Sequence, residues 1–272
     1  MIFVTKPFLP PKEDYDKYIE FIYDSSHLTN FGKLHNQLET KLKEYLNISD
    51  LALLNNCTDG LLIAIKSLNL KGEIITTPFS FVATTSSIVW NNCKPIFCDI
   101  DENTLFPNLD LIEKLITKKT TAILFTHIFG NTGDLDRLID IAKKNKLKII
   151  FDAAHAFGVT YKNKSILDYG DISVVSLHST KLYHTIEGGL ITAKDKSLLD
   201  KIKIMRNFGI SNNEIVDLGI NAKMSEFNSA MGLCNLNHID DILISRKNIY
   251  NHYLNNIKNK DIRFIEINKD IE

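Results

Sequence analysis

A chain of 272 residues with 44% hydrophobic content is long enough to bury a large core, as one big domain with at most a smaller appendage. Its 32 Lys plus Arg against 33 Asp plus Glu leave a net charge of -1, which excludes an overall basic field for holding nucleic acid or an anionic membrane. No apolar run approaches membrane-spanning length, and "MIFVTKPFLPP" lacks a basic leader followed by a long apolar stretch, so the expectation is a cytoplasmic protein without membrane association.

Residues 11–26 and 34–46 read as helices, the second with Leu38, Leu42, Tyr45 and Leu46 at helical spacing. Short apolar runs then alternate with helical patterns. "LALLN" at 51 precedes a helix over 58–68, "EIITT" at 73 one over 82–91, "PIFCD" at 95 one over 109–116, and "TAILFT" at 121 one over 134–145. "KIIFD" at 148, "ISVVSL" at 172 and "GLITA" at 189 follow. From 223 a long helical pattern leads to a strand-like "IRFIEI". Strands this apolar, alternating with helices, predict an α/β architecture with a mainly parallel sheet covered on both faces. Cys57, Cys93, Cys98 and Cys234 show no C-x-x-C spacing, so they read as reduced thiols without zinc or disulfides. No dinucleotide fingerprint and no phosphate-loop Gly-Lys-Ser/Thr is present.

In such sheets ligands bind beyond the carboxyl ends of the strands. That rule selects Asn55 to Thr58, Thr77 to Phe81, Asp99, His127, Asp152 with His155, and Ser176 to Lys181. Asp152 follows Ile149, Ile150 and Phe151, and a carboxylate buried there needs a cation or several donors; the competing reading is a helix N-cap ahead of Ala153, Ala154 and Ala156. An Asp at one strand end, Ser and Lys at the next, and an Asn-Cys-Thr turn opening an early helix are the parts that hold pyridoxal phosphate. The aldehyde needs a lysine amine, the ring nitrogen a carboxylate, and the phosphate a helix N-terminus with hydroxyls.

With these residues in view, the chain resembles the DegT/DnrJ/EryC1/StrS family of sugar-nucleotide aminotransferases, from about "KPFLPP" to the helix near 240. "SLHSTKLYHTIEGG" is similar to the family's Ser-aromatic-His-x-x-Lys segment followed by Glu-Gly-Gly, which implies Lys181 as the lysine bonded to the cofactor and Ser176 as a phosphate ligand. "FDAAHAFG" implies Asp152 on the ring nitrogen and His155 near the ring hydroxyl. "NNCTDGLLIAI" implies Thr58 and the Asp59 amide on the phosphate, "TTPFSFVATTSSI" implies Phe81 stacked on the ring, and "LGINAKMSEFNSAMG" implies Asn221 on the phosphate of the neighbouring subunit. The chain departs from the family pattern at Cys57, usually Gly, at Phe151, often acidic, and at Lys223, usually Arg; none of these removes a chemical role.

The resemblance implies a three-layer fold type I large domain over residues 1–240 and the start of a small C-terminal domain over 241–272. It implies transamination of a nucleotide-linked keto sugar, with glutamate as amino donor and 2-oxoglutarate as product, for amino-sugar synthesis in glycans or lipopolysaccharide. It also implies a homodimer with shared active sites. The alternatives are a sugar dehydratase of the same fold, disfavoured because those carry His where Lys181 stands, and a degenerate protein that binds the cofactor without turnover.

Overall fold

Successive residues of each buried strand feed two different cores. In the computed structural model, which describes residues 5–272, strands β1 (Ala52–Leu54), β2 (Glu73–Thr76), β3 (Lys94–Phe97), β4 (Thr120–Thr126), β5 (Lys148–Asp152), β6 (Ile172–Ser176) and β7 (Gly189–Ala193) form one sheet. Residues 1–4, the first part of the stretch read for a leader, lie outside the described residues. The strand order is β1-β7-β6-β5-β4-β2-β3, and every neighbouring pair is parallel except the two made by β7. All seven strands fall on the expected apolar runs.

The helices are α1 (Lys12–Ser25), α2 (Lys33–Leu46), α3 (Cys57–Ser67), α4 (Val82–Trp90), α5 (Leu109–Leu115), α6 (Leu135–Lys144), α7 (Lys196–Met205), α8 (Glu226–Leu236) and α9 (Ile239–Asn256). Because side chains alternate across a strand, Leu53, Ile75, Ile123, Phe125, Ile149, Phe151 and Val175 meet Leu38 of α2, Ile112 of α5, Leu138 of α6 and Leu233 of α8 on one face. Leu54, Ile74, Leu124, Ile150, Val174 and Ile191 meet Leu61 of α3, Ile88 of α4 and Ile202 of α7 on the other. This double burial gives the three-layer α/β fold and leaves the strand interiors mainly apolar.

Three features differ from expectation. Helix α7 fills a stretch where none was expected, although Leu198, Leu199, Ile202 and Met205 have helical spacing and Asp195 caps it by accepting from the Ser197 amide at 2.8 Å. The long pattern from 223 breaks into two helices at Asn237 and His238, because α8 is buried against α1 and α2 whereas only Ile239 of α9 is buried. Residues 262–267 form no strand; the Glu266 amide instead donates to the Asn103 carbonyl at 2.9 Å and the Asn131 side chain donates to the Glu266 carbonyl at 2.8 Å.

One long-range contact ties the N-terminal helices to the rest. The N-cap of α2 is Gly32, which has no side chain to offer, and Glu226 of α8 takes its place: its carboxylate accepts from the Leu34 and His35 amides, both at 2.9 Å. A Cβ at position 32 would stand 2.5 Å from the Glu226 carboxyl carbon, so glycine is what lets the carboxylate reach the helix. Glu226 is 1% exposed. Glu226→Ala therefore leaves two buried amides without acceptors at a positive helix end, and is expected to cost about 2–4 kcal/mol in urea unfolding. Glu226→Gln keeps the shape and one acceptor and is expected to lose less; equal stability of all three proteins would refute the capping role.

Candidate active site

β4, β5 and β6 run side by side in the same direction, with Thr126 opposite Asp152 and Asp152 opposite Val174, so Thr126, Asp152 and Ser176 end on one side of the sheet. They open into a cavity of about 560 Å³ that is closed from the opposite side by the start of α3 and by residues 78–83. Six of the eight expected site residues line it: Thr58, Phe81, Asp152, His155, Ser176 and Lys181. Phe81 is 76% exposed and belongs to the cavity rim rather than to the core.

Asp152 is 4% exposed. The Thr84 hydroxyl donates to its Oδ2 at 2.7 Å and the Ala154 amide to its Oδ1 at 3.1 Å. Burial nevertheless raises its carboxyl above the ordinary range, outweighing these bonds and the positive charge of Lys181. Residues 153–159 form turns and no helix, which removes the N-cap reading of Asp152. What remains is a buried carboxylate whose charge is incompletely matched by the chain.

Lys181 sits in a turn just past β6, where its amide donates to the His178 carbonyl at 2.9 Å. The excursion between β6 and β7 is closed by the Leu177 amide on the Gly188 carbonyl at 2.9 Å, and Asn228 of α8 donates to the carbonyls of Thr185 at 2.7 Å and Glu187 at 2.9 Å. The two glycines after Glu187 have a steric cause. A Cβ at Gly188 would collide with the Thr185 hydroxyl, and one at Gly189 would lie 2.8 Å from the Asn56 carbonyl, so only glycine lets β7 pass the start of α3. Ile186 takes left-handed backbone (φ 69°), a costly conformation for a β-branched residue, with its amide bonded to His184 Nδ1 at 3.2 Å.

His155 accepts the Phe129 amide on Nδ1 at 3.2 Å, and the two rings lie 5° from parallel with centroids 6.0 Å apart. With Nδ1 an acceptor, Nε2 carries the proton. Atoms packed around the ring, and secondarily the charge of Lys181, push His155 down to about 4, so it is neutral at pH 7.

Asp59 and Asn221 stand outside the cavity lining. The Asp59 amide donates to Asn56 Oδ1 at 2.8 Å, and its carboxylate accepts from the side chains of Asn55 at 2.8 Å and Asn56 at 3.1 Å, so Asp59 completes the cap of α3. Asn221 is exposed; its Oδ1 accepts from Lys223 Nζ at 2.8 Å. It does not cap the following helix, because Ser225 does, accepting the Asn228 amide at 3.2 Å. Thr84, Thr126 and Phe129 also bear on the site without having been singled out. The Asn56-x-x-Asp59 spacing of a capping pair was a usable signal for the α3 cap, whereas no local pattern around Thr84 or Phe129 points to the site. Among the described residues no cluster of His, Cys, Asp or Glu could hold a metal ion, and no helix is long and apolar enough to cross a membrane.

Residues 11–270 match the DegT/DnrJ/EryC1/StrS aminotransferase family. The chain is 46% identical over 267 residues to the dTDP-4-amino-4,6-dideoxy-D-glucose transaminase of Shigella dysenteriae, covering 98% of this chain and 72% of that protein. Among solved structures it is similar to DesI in the presence of its TDP-sugar product, with TM-score 0.82 and 30% identity over 88% of this chain and 62% of DesI. It is also similar to the PLP form of Spr1654 from Streptococcus pneumoniae, with TM-score 0.89 and 25% identity over 98% of this chain and 75% of the other.

The raised Asp152 carboxyl has a consequence for the protein without cofactor. Below the unfolded value, near 3.8, the group is protonated in both states and costs nothing; above its raised folded value it is charged in both, and its burial penalty is fully expressed. Asp152→Asn is therefore expected to raise the urea midpoint of the cofactor-free protein at pH 7, with the gain vanishing as the pH falls to about 3.8. A variant less stable than wild type at pH 7 would show instead that the chain fully compensates the charge.

Proposed function

The chain belongs to the DegT/DnrJ/EryC1/StrS aminotransferase family and is a pyridoxal phosphate-dependent aminotransferase acting on nucleotide sugars, and from that premise we propose that it moves the amino group of L-glutamate to the 4-keto carbon of a dTDP-linked 6-deoxyhexose. The product would be a building block for a cell-surface polysaccharide such as an O-antigen, made in the cytoplasm. The substrate reading is supported by 46% identity to the Shigella transaminase, whose product carries its amino group at carbon 4. The observation that carries the site reading is the meeting, in one cavity, of Lys181 with a buried and undercompensated Asp152.

The residues present fit pyridoxal phosphate. Asp152 lacks a full positive counterpart among the described residues, and the hydroxyls of Thr58 and Ser176 flank the first turn of α3, where amides and helix dipole favour an anion. When bound, the cofactor supplies an aldehyde carbon that carries the amino group between substrates and a protonated ring that draws off the electron pair left by a departing proton.

Each side chain then has a defined task. Asp152, its oxygens oriented by Thr84 and Ala154, keeps the proton on the ring nitrogen, and the resulting ion pair relieves its own burial penalty. Thr58 and Ser176 hold the phosphate. His155 offers its Nε2 proton to the ring hydroxyl, since Nδ1 is occupied by Phe129. Phe81 covers one face of the ring. Lys181 would hold the cofactor through its amine and, with the donor bound, would serve as the base for the donor's α-carbon proton and as the acid that returns it, with the same two roles in reverse for the keto sugar. Asn221, exposed and outside its own chain's cavity, is assigned to the phosphate site of a second copy in a symmetric homodimer. The Asp59 amide is already bonded to Asn56 and can join the phosphate only by giving up that bond.

Borohydride reduction of the cofactor-loaded protein is expected to leave the cofactor mass on the peptide containing Lys181, and glutamate alone to change the visible absorbance while 2-oxoglutarate is released. With dTDP-4-keto-6-deoxyglucose the loaded protein should turn over, and Asp152→Asn should lower kcat/KM by about a hundredfold or more. Labelling at another lysine would sink the site assignment; turnover of only GDP- or UDP-linked sugars would sink the choice of nucleotide.

A further inference from the structure

Residues 263–272 run as a strap past the carboxyl ends of β3, β4 and β5. After β3, Arg263 donates to the Glu102 carbonyl at 2.8 Å and to Asn103 Oδ1 at 3.1 Å. After β5, the Thr160 and Lys162 amides donate to the carbonyls of Glu272 and Asp270, both at 2.8 Å. Between these, after β4, the attachment is made by one side chain. Asn131 is 7% exposed; its amide nitrogen donates to the carbonyls of Glu266 at 2.8 Å and Thr104 at 3.2 Å, and its Oδ1 accepts the Asn268 amide at 3.1 Å. Asn268 donates in return to the Gly133 carbonyl at 2.7 Å. Both donors and the acceptor of a buried amide are thus used on main-chain groups, as a neighbouring strand would use them.

The other end of the same loop lies on His155. Phe129 and Gly130 are consecutive left-handed residues (φ 56° and 81°) that bring the chain back over it. The Phe129 amide donates to His155 Nδ1, the two rings stack, and a Cβ at Gly130 would stand 3.0 Å from the His155 carbonyl. A left-handed phenylalanine persists only where its surroundings impose that conformation. The Phe129 side chain is 68% exposed and supplies little of the constraint. Two residues on, the buried and fully bonded Asn131 supplies it.

We propose that Asn131 is a positioning residue for the cofactor site: by tying the loop after β4 to residues 266–268 it holds Phe129 on His155, and so fixes where the His155 Nε2 proton points. A shift of the strap is then passed to His155 through two main-chain bonds to a single amide. The effect on the cofactor rests on the contact between His155 and the ring hydroxyl proposed above; the tie itself does not.

Nitrogen NMR of His155 and the visible absorbance of the cofactor-loaded full chain test the two parts separately. In Asn131→Ala the Nδ1 resonance is expected to move toward that of an unbonded nitrogen. The pH midpoint of the bound cofactor's absorbance should shift by roughly half a unit or more, because a hydrogen bond to one protonation state of the ring hydroxyl is weakened. Asn131→Asp keeps the acceptor for the Asn268 amide but sets oxygen against the Glu266 and Thr104 carbonyls, and should behave like Asn131→Ala. Asn268→Ala, at a less buried position, should move both signals the same way by less, and should add little to Asn131→Ala if the two act as one tie. Glu226→Ala, which loosens the α2 cap instead, controls for general loss of stability and should leave both signals at their wild-type positions. An unmoved His155 resonance in Asn131→Ala overturns the proposal, as does an equal movement in Glu226→Ala. A moved resonance with an unmoved absorbance midpoint supports the tie and overturns the contact between His155 and the ring hydroxyl.

Discussion

The interaction on which the site depends is the burial of one carboxylate at the end of a central strand. Asp152 is placed there by β5, whose Ile149 and Phe151 feed one core and Ile150 the other. A strand anchored on both faces cannot shift by a residue without turning its whole apolar set the wrong way, so the position of Asp152 is fixed by packing rather than by its own contacts. Thr84 and the Ala154 amide orient the carboxylate, yet burial still raises it. The chain thus holds a charge at a cost in stability that the proposed pairing with the cofactor's ring would offset, a trade commonly met where function and stability compete.

The opposite wall of the cavity is set by close backbone approach. Gly60 lets α3 pack on Val174 and Leu54, where a Cβ would come within 2.6 and 2.8 Å of their side chains. Gly189 lets β7 pass the Asn56 carbonyl, and Asn56 with Asp59 closes the first turn of α3. Behind this wall Arg206, 5% exposed, donates to the Leu53 carbonyl at 2.6 Å and to Glu39 at 3.0 Å, joining α7, α2 and β1. Such a buried ion pair adds little net stability, but removing either partner strands the other, so it acts chiefly to hold the end of β1 next to α3. The start of α3 and the carboxylate are therefore carried by separate packing systems that meet at the cavity.

Several residues were readable from their local pattern. The seven apolar runs, the helices between them, and the polar groups at the ends of β4, β5 and β6 follow from hydrophobic periodicity and the rule that ligands bind at strand carboxyl ends. The Glu-Gly-Gly after Lys181 also carried meaning in the chain, as a close approach that only glycine permits. Helix α7 was legible and was overlooked: Asp195 and the spacing of Leu199, Ile202 and Met205 announce it.

Sequence by itself determined the layer order of apolar and polar residues, the identity of Lys181 and Asp152 as candidates, and the family resemblance, because each rests on residues within a few positions of one another. Only the tertiary structure decided which of the candidates share a cavity. It separated Asp59 and Asn221 from the other six, brought Thr84 from 68 residues away onto Asp152, and set Glu226 on a helix nearly two hundred residues earlier. It also broke the long C-terminal helical pattern at Asn237, where buried α8 gives way to exposed α9. Those outcomes depend on how whole faces pack and on which backbone atoms approach closest, quantities that no local spacing encodes.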